Sequence, residues 1–351
     1  MSSAPPKHYV RPLDFKHGRI DLGHGAGGRA SAQLVHELFA AAFSNPWLEQ
    51  GNDGAVMAPI AGEWVIATDA HVITPLFFPG GDIGSLAVHG TINDVAVMGA
   101  RPLYLSAAFI LEEGFPLSEL KRIVESMAQA ARAAGVAIVT GDTKVVEKGK
   151  GDGVFITTTG FGVIPPGAPR PAGDRAAVGD AVLVSGAIGD HGVAILSTRE
   201  SLGFGTEIRS DSAALHGLIA AMLTRVPDVR VLRDPTRGGL ATTLNEIAAQ
   251  SNVGIRIREA DIPIQPQVAA ACELLGLDPL YSANEGKLVA ICPAAQADAL
   301  LAAMRADPLG VHAACIGEVV ADPHNFVEMT TRFGGRRIVD WLSGEQLPRI
   351  C

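Results

Sequence analysis

At 351 residues, 48% of them hydrophobic, the chain is long enough to bury two domain-sized cores, and with aromatics at only 5% those cores should be aliphatic. A formal net charge of −9 argues against a nucleic-acid or anionic-membrane surface, and it suits a nucleotide enzyme whose surplus carboxylates hold cations. There is no run of about eighteen apolar residues, no signal-peptide pattern and no zinc or disulfide spacing among Cys272, Cys292, Cys315 and Cys351, so a cytoplasmic protein is expected.

Residues 1–49 read as a polar arm, a glycine-rich loop and a helix. The loop is Ile20-Asp-Leu-Gly-His-Gly-Ala-Gly-Gly-Arg29, and the helix carries Leu34, Val35, Leu38, Phe39 and Phe43 on one face. Gly23, Gly25 and Gly28 match a dinucleotide fingerprint, but the stretch before them is too polar for the buried strand such a site requires. A loop that folds over phosphates through its backbone N–H groups, at Gly25, Gly27 and Gly28, fits better. A P-loop is excluded, because no G-x-x-x-x-G-K-[ST] occurs.

Residues 50–164 then alternate strands and helices. Trp64 to Asp69 reads as a strand, and Asp82 should cap a helix running through Met98 that carries His89, Asn93 and Asp94. Leu103–Leu111 is a strand. The helix from Ser118 to about Ala134 places Leu120, Ile123, Val124, Met127, Ala131 and Ala134 on one stripe. A strand at Val136–Val139 runs into Thr140-Gly-Asp-Thr-Lys144, and Val154–Val163 is a long strand. Ile164-Pro-Pro-Gly-Ala-Pro-Arg-Pro-Ala-Gly-Asp174 is the linker. A second domain, 175–322, repeats the alternation, and 323–351 is a C-terminal segment and mobile tail. The fold expected is α+β, with mixed α/β character.

Asp53, Asp69, Asp94 and Asp142 sit at strand ends, in loops or on a helix beside small residues. Magnesium-nucleotide sites use a few such carboxylates together with phosphate oxygens. Thr143 and Lys144 follow the last of them, and Arg233-Asp-Pro-Thr-Arg-Gly-Gly239 brings Asp234 and Arg237 to the start of a helix. Glu285 and Lys144 both stand at strand–loop junctions beside glycine. They could be a general base and an electrostatic clamp, or simply surface ion-pair partners. Finally, Leu347-Pro-Arg-Ile-Cys351 ends the sequence on a thiol. The neighbouring α-carboxylate disfavours its thiolate and Arg349 favours it, while Ser343-Gly344-Glu345 reads as a hinge.

Eight motifs carry a resemblance: Gly23-His-Gly-Ala-Gly-Gly28, Thr68-Asp69, Asn93-Asp94, Thr140-Gly-Asp-Thr-Lys144, Gly189-Asp-His-Gly192, Arg233 to Gly239, Ala283-Asn-Glu-Gly-Lys287 and the terminal Pro-Arg-Ile-Cys. In this order they resemble the HypE family of hydrogenase maturation factors, within the superfamily of aminoimidazole ribonucleotide synthetase, selenophosphate synthetase and thiamine-monophosphate kinase. His71 departs from the small residue expected after Thr-Asp. The resemblance implies an ATP-binding domain at 50–164 that pairs with its twin into a barrel-like homodimer core, and a C-terminal α/β domain beside it. It implies a carbamoyl group placed on Cys351 by a HypF-type carbamoyltransferase, then dehydrated with ATP and Mg²⁺ to a thiocyanate. The cyanide would pass to iron on a HypC–HypD complex for nickel–iron hydrogenase. Glu285 would take protons from the amide nitrogen, and Lys144 would neutralise the carbonyl oxygen. Asp53, Asp69, Asp94 and Asp142 would hold Mg²⁺, and Gly25, Gly27, Gly28, Asn93, Thr143, Asp234 and Arg237 would contact the nucleotide.

Overall fold

On each side of the proline-rich linker the chain builds one large sheet. The computed structural model describes residues 11–200, 207–344 and 349–350. The N-terminal part begins with a single 3-10 turn (Leu22–Gly25), capped by Asp21. Next come α1 (Arg29–Leu34) and a π-helical turn (Val35–Ala40), which bury Leu34, Leu38 and Phe39. β1 (Glu63–His71), β2 (Phe77–Phe78), β3 (Gly81–Asp82), α2 (Ile83–Val97), β4 (Arg101–Glu112), α3 (Leu117–Ala133), β5 (Ala137–Val146) and β6 (Val154–Ile164) follow. The first sheet runs β1-β6-β4-β5, antiparallel except for β4 and β5. Residues 140–146, beyond the strand expected at Val136–Val139, continue β5 because each pairs in register with β4.

Helix α2 is the axis of the molecule. Asp82 starts it as expected, its Oδ1 accepting from Gly84 N at 2.7 Å and Ser85 N at 3.1 Å. It has no amphipathic stripe, because twelve of its fifteen residues are buried on all sides. One flank packs on α3, whose Leu120, Ile123, Val124 and Met127 are fully enclosed as the periodicity requires. The two helices meet at Gly84, where a side-chain carbon would stand 2.3 Å from the carbonyl oxygen of Ile123. Another flank lies on β6 and β1. At the far end, Ala96 and Val97 enter a core shared with the second domain.

The second domain contains β7 (Asp180–Val184), α4 (Asp190–Arg199), α5 (His216–Arg225), β8 (Val231–Arg233), α6 (Gly239–Ser251), β9 (Gly254–Arg258), α7 (Pro266–Leu275), β10 (Val289–Pro293), α8 (Ala297–Arg305), β11 (Ala314–Val320), β12 (Val327–Thr330) and β13 (Arg336–Ile338). Its seven-stranded sheet has the order β13-β12-β9-β11-β7-β10-β8. Helices cover both faces, as strand alternation dictates. Val182, Val184, Val289 and Ile291 pack with Leu240, Leu244 and Ile247 of α6, while Ala181, Leu183, Ala290 and Cys292 pack with α5 and α8. Each buried Leu, Ile or Val contributes about 1.5–3 kcal/mol. Residues 327–338, read from sequence as part of the C-terminal segment, belong to this sheet, because β12 pairs in parallel with β9 and β13 pairs with β12. Among the described residues no helix is long and apolar enough to cross a membrane.

Candidate active site

Where β1, α2 and the Asn284–Lys287 loop meet, four carboxylates crowd together. Gly90 of α2 marks the spot: a side-chain carbon there would lie 3.3 Å from His71 Nε2, 3.6 Å from Asp69 Oδ2 and 3.9 Å from Glu285 Oε2. Thr91 Oγ1 donates to Asp69 Oδ2 at 3.2 Å. The Asp94 carboxyl hydrogen-bonds to Asp69, and burial, then Asp234 and Asp69, push it up to about 8. Burial raises Asp234 to about 6. Glu285 is 3% exposed, and burial first, then Asp234, Asp211, Asp69 and Asp94, hold it well above the usual carboxylate range. Its Oε1 has no hydrogen-bond partner. Burial and the neighbouring carboxylates thus favour the protonated form of Glu285, and positive charge entering the cluster would favour the carboxylate that can act as a base.

Two side chains that sequence reasoning did not single out hold this arrangement. Asp211 Oδ1 accepts from Glu285 N at 3.0 Å, and its Oδ2 accepts from Gly286 N at 3.3 Å and Lys287 Nζ at 3.0 Å. It lies in a loop with no periodic signal. His71, noted only as a departure after Thr-Asp, is buried with Nδ1 unpartnered, and burial lowers its pKa. Exposed Arg237 is close enough for its charge to act on the same ring.

Asn93 stands apart from the other residues expected to meet the nucleotide. It is 1% exposed, and backbone occupies both ends of its amide: Nδ2 donates to Ala213 O at 3.0 Å and Glu285 O at 3.4 Å, and Oδ1 accepts from Leu215 N at 2.8 Å.

A second locus lies over β5. A cavity of about 670 Å³ is lined by the aromatic Phe39, Phe43 and Trp47 together with Gly25, Gly27, Asp53, Asp142, Thr143 and Lys144. Gly27 and Gly28 face open space. Gly25 has a packing role, since a side-chain carbon would meet Val145 N at 2.7 Å. Lys144 Nζ pairs with Asp142 Oδ2, and that bond, foremost, lowers the Asp142 pKa.

Lys144 and Glu285, expected to act together, are thus in different places within one chain. β6 and β4 separate β1 from β5, a distance of about 14 Å at ~4.8 Å per strand. The four aspartates expected at metal divide the same way, Asp69 and Asp94 in the buried cluster, Asp53 and Asp142 at the cavity. Among the described residues no group of three or more His, Cys, Asp or Glu side chains is poised around one point to hold a metal ion.

The third element is the end of the sequence. Cys351, Pro348 and Glu345 lie outside the described residues, but Arg349 and Ile350 are seated. Ile350 is buried in the N-terminal core, and its carbonyl accepts from His191 Nε2 at 2.6 Å. The Arg349 carbonyl accepts from Thr74 N at 3.2 Å and Arg199 Nη2 at 2.9 Å, and its guanidinium meets Asp152 Oδ2 at 2.6 Å.

A four-stranded sheet and a seven-stranded sheet, with a carboxylate cluster at their junction, define the two-domain class of AIR synthase. The N-terminal domain of the AIR synthase related proteins matches residues 51–164 and the C-terminal domain matches 177–330, so the chain belongs to that family. Carbamoyl dehydratase HypE of Cupriavidus necator is 72% identical over 352 residues, covering 100% of both chains. Within the family, the chain is a member of the HypE carbamoyl dehydratases. The crystal structure of hydrogenase maturation protein HypE in complex with ATP superposes with a TM-score of 0.90 at 52% identity, covering 94% of this chain and 99% of that one. HypE in a HypE–HypF complex gives 0.78 at 48% identity, covering 88% and 99%.

Proposed function

We propose that the protein dehydrates a carbamoyl group carried as a thiocarbamate on Cys351, converting it to a thiocyanate while ATP becomes ADP and phosphate. The observation that carries this reading is the seat of Ile350. His191 holds that residue, Ser210 bonds His191, and the next residue, Asp211, holds the backbone of Glu285. The residue before the thiol is thereby tied to the buried Glu285 carboxyl of the cluster.

In this reading Glu285 takes a proton from the amide nitrogen. Two protons leave that nitrogen in all, and the oxygen leaves with phosphate as the carbon–nitrogen triple bond forms. The cavity over β5 takes the nucleotide, with Phe39, Phe43 and Trp47 against the base and Gly25, Gly27, Gly28 and Thr143 toward the phosphates. Asp234 and Arg237 flank the reacting group, and Asn93 acts by fixing the Glu285 backbone. The charge-crowded Asp69 and Asp94 suit a hard divalent cation, and Asp53 and Asp142 lie at the nucleotide cavity, so these four would hold Mg²⁺, which neutralises phosphate charge when bound. Lys144 neutralises the carbonyl oxygen.

Joining the two loci is the task of a homodimer. Trp64, Ile66 and Ile110 are exposed on the outer face of the first sheet, in register with Val163, Phe161 and Phe155. Pairing through this apolar face would let Lys144 of one copy serve Glu285 of the other. A HypF-type carbamoyltransferase would load Cys351, and a HypC–HypD complex would take the cyanide to the iron of a nickel–iron hydrogenase, all in the cytoplasm.

The test is intact mass on protein supplied with the carbamoyl donor and transferase, before and after ATP. The adduct should lose one water. Glu285→Gln should accept the carbamoyl group and bind ATP yet keep that water. Normal dehydration by this variant would remove Glu285 from the reaction.

A further inference from the structure

The Ser210–Ala213 loop has two clients. On one side Ser210 Oγ bonds His191 Nδ1 at 2.7 Å and accepts from Ser212 N at 3.1 Å. On the other, Asp211 accepts from Glu285 N and Gly286 N, and Ala213 N donates to Glu285 O at 3.3 Å. These bonds fix the tautomer of His191. Nε2 must carry the hydrogen, because a carbonyl oxygen only accepts, so Nδ1 accepts from the Ser210 hydroxyl. The ring is fully enclosed, stands edge-on to Phe78 at 5.6 Å, and burial lowers its pKa, which keeps it neutral. Arg349, meanwhile, adopts φ +56, a left-handed conformation that is unfavourable for a non-glycine residue. Two donors on its carbonyl and Asp152 on its guanidinium hold it there. A strained residue fixed at several points marks a built seat.

We propose that His191 is a positioning residue that reads the main-chain carbonyl of Ile350, and that the Ser210–Ala213 loop couples seating of the last residues to placement of Glu285. The inference rests on the dehydratase reading for its purpose, but its contacts are independent of that chemistry. An empty seat leaves the Nε2 hydrogen of a buried ring without an acceptor. That imbalance falls on Ser210, and through the loop on the backbone of the catalytic carboxyl. The carboxyl is then held in place most firmly when the thiol-bearing end is home.

The experiment uses the full chain and three variants, His191→Phe, His191→Gln and Ser210→Ala. Phenylalanine keeps the packing on Phe78 and loses the donor, whereas the glutamine amide can place a donor where Nε2 stands. The first readout is the rate at which trypsin releases the Ile350–Cys351 dipeptide, since cleavage after Arg349 requires the seat to empty. The second is single-turnover dehydration by protein already loaded with the carbamoyl group. His191→Phe should release the dipeptide roughly five- to tenfold faster, the worth of one lost hydrogen bond, and dehydrate more slowly by a similar factor. His191→Gln should recover most of both. Ser210→Ala bonds no tail atom among the described residues, yet it should also speed release. Unchanged release in His191→Phe, or equal effects of Phe and Gln, would overturn the reading of the carbonyl by His191. Unchanged release in Ser210→Ala would overturn the coupling. If release follows the expected pattern while the unaltered protein never dehydrates its adduct, the seat stands and the dehydratase reading falls.

Discussion

Gly90 and Glu285 face each other across a gap that a single methyl group would narrow: a side-chain carbon on Gly90 would stand 3.9 Å from Glu285 Oε2 and closer still to His71 and Asp69. The glycine is mid-helix, where alanine would ordinarily favour folding by about 0.5–1 kcal/mol. Its presence therefore serves the space beside the carboxylates. Gly90→Ala should melt within about 1 kcal/mol of the parent protein, since the 3.3 Å contact with His71 offsets the helix gain. It should lose at least about a hundredfold in single-turnover dehydration, the scale of a misplacement near 1 Å. Full activity in that variant would show that nothing reacts beside Gly90.

The carboxylate crowd has a pH signature. Asp94 rises from 3.8 unfolded to about 8 folded, so the folded chain binds the extra proton between those values. Stability from this group is present at low pH and is lost as pH climbs through that window. Without Mg²⁺, Asp94→Asn should therefore be the more stable protein at pH 8, by on the order of 1 kcal/mol, with the difference shrinking toward pH 5. Thermal melts at both pH values check the sign. Mg²⁺ should raise the melting temperature of the parent protein more than that of the variant.

Much of the site could be read before the fold was known, and the reason is chemical. Asp69, Asp234 and Glu285 stand beside threonine, proline or glycine at or near strand ends and in a loop, Asp94 stands within helix α2, and the four do converge. The helix α3 stripe and the Asp82 cap were equally plain, because periodicity and capping are local properties. Asp211 was not legible, and His191 was legible only as part of the Gly189–Gly192 motif, since their roles depend on what lies across from them and they sit in a loop and a first helical turn. β12 and β13 are only four and three residues long, so the pairing of β12 with β9 and of β13 with β12 left little local trace. Asn93 was found as a residue but not as a bridge, because sequence names a side chain without naming its acceptors.

Cys351→Ser should end the reaction while altering stability by no more than about 0.5 kcal/mol and leaving ATP binding intact. Three residues added after Cys351 should sharply slow dehydration, because Ile350 is already enclosed at 5% exposure and its surroundings are packed. Intact mass after ATP addition reads both outcomes. A lengthened protein that dehydrates at the parent rate would show that the terminal position of the thiol is incidental.

The outer face of the first sheet should be an interface. Ile66 is 63% exposed and lies opposite Phe161. Ile66→Asp should convert a species of twice the 36.4 kDa chain mass into one of a single chain, as light scattering would measure. The same substitution should abolish dehydration if Lys144 acts across the pair. A parent protein of single-chain mass at micromolar concentration would count against the arrangement.

The burial of α2 on all sides bears on how such a protein could be taken apart. Asn93 spends its amide on Ala213, Leu215 and Glu285, all beyond the linker, and Ala96 and Val97 sit in a core with Leu183 and Leu232. A gene cut within 165–174 would hence yield two fragments, neither with a complete interior: the first would expose an apolar helix with an unanswered amide, the second would lose the wall behind its sheet. Expressed apart they should aggregate. Expressed together they should find each other and restore the junction where Glu285 is held, making the chain a natural candidate for fragment complementation and a poor one for domain shuffling.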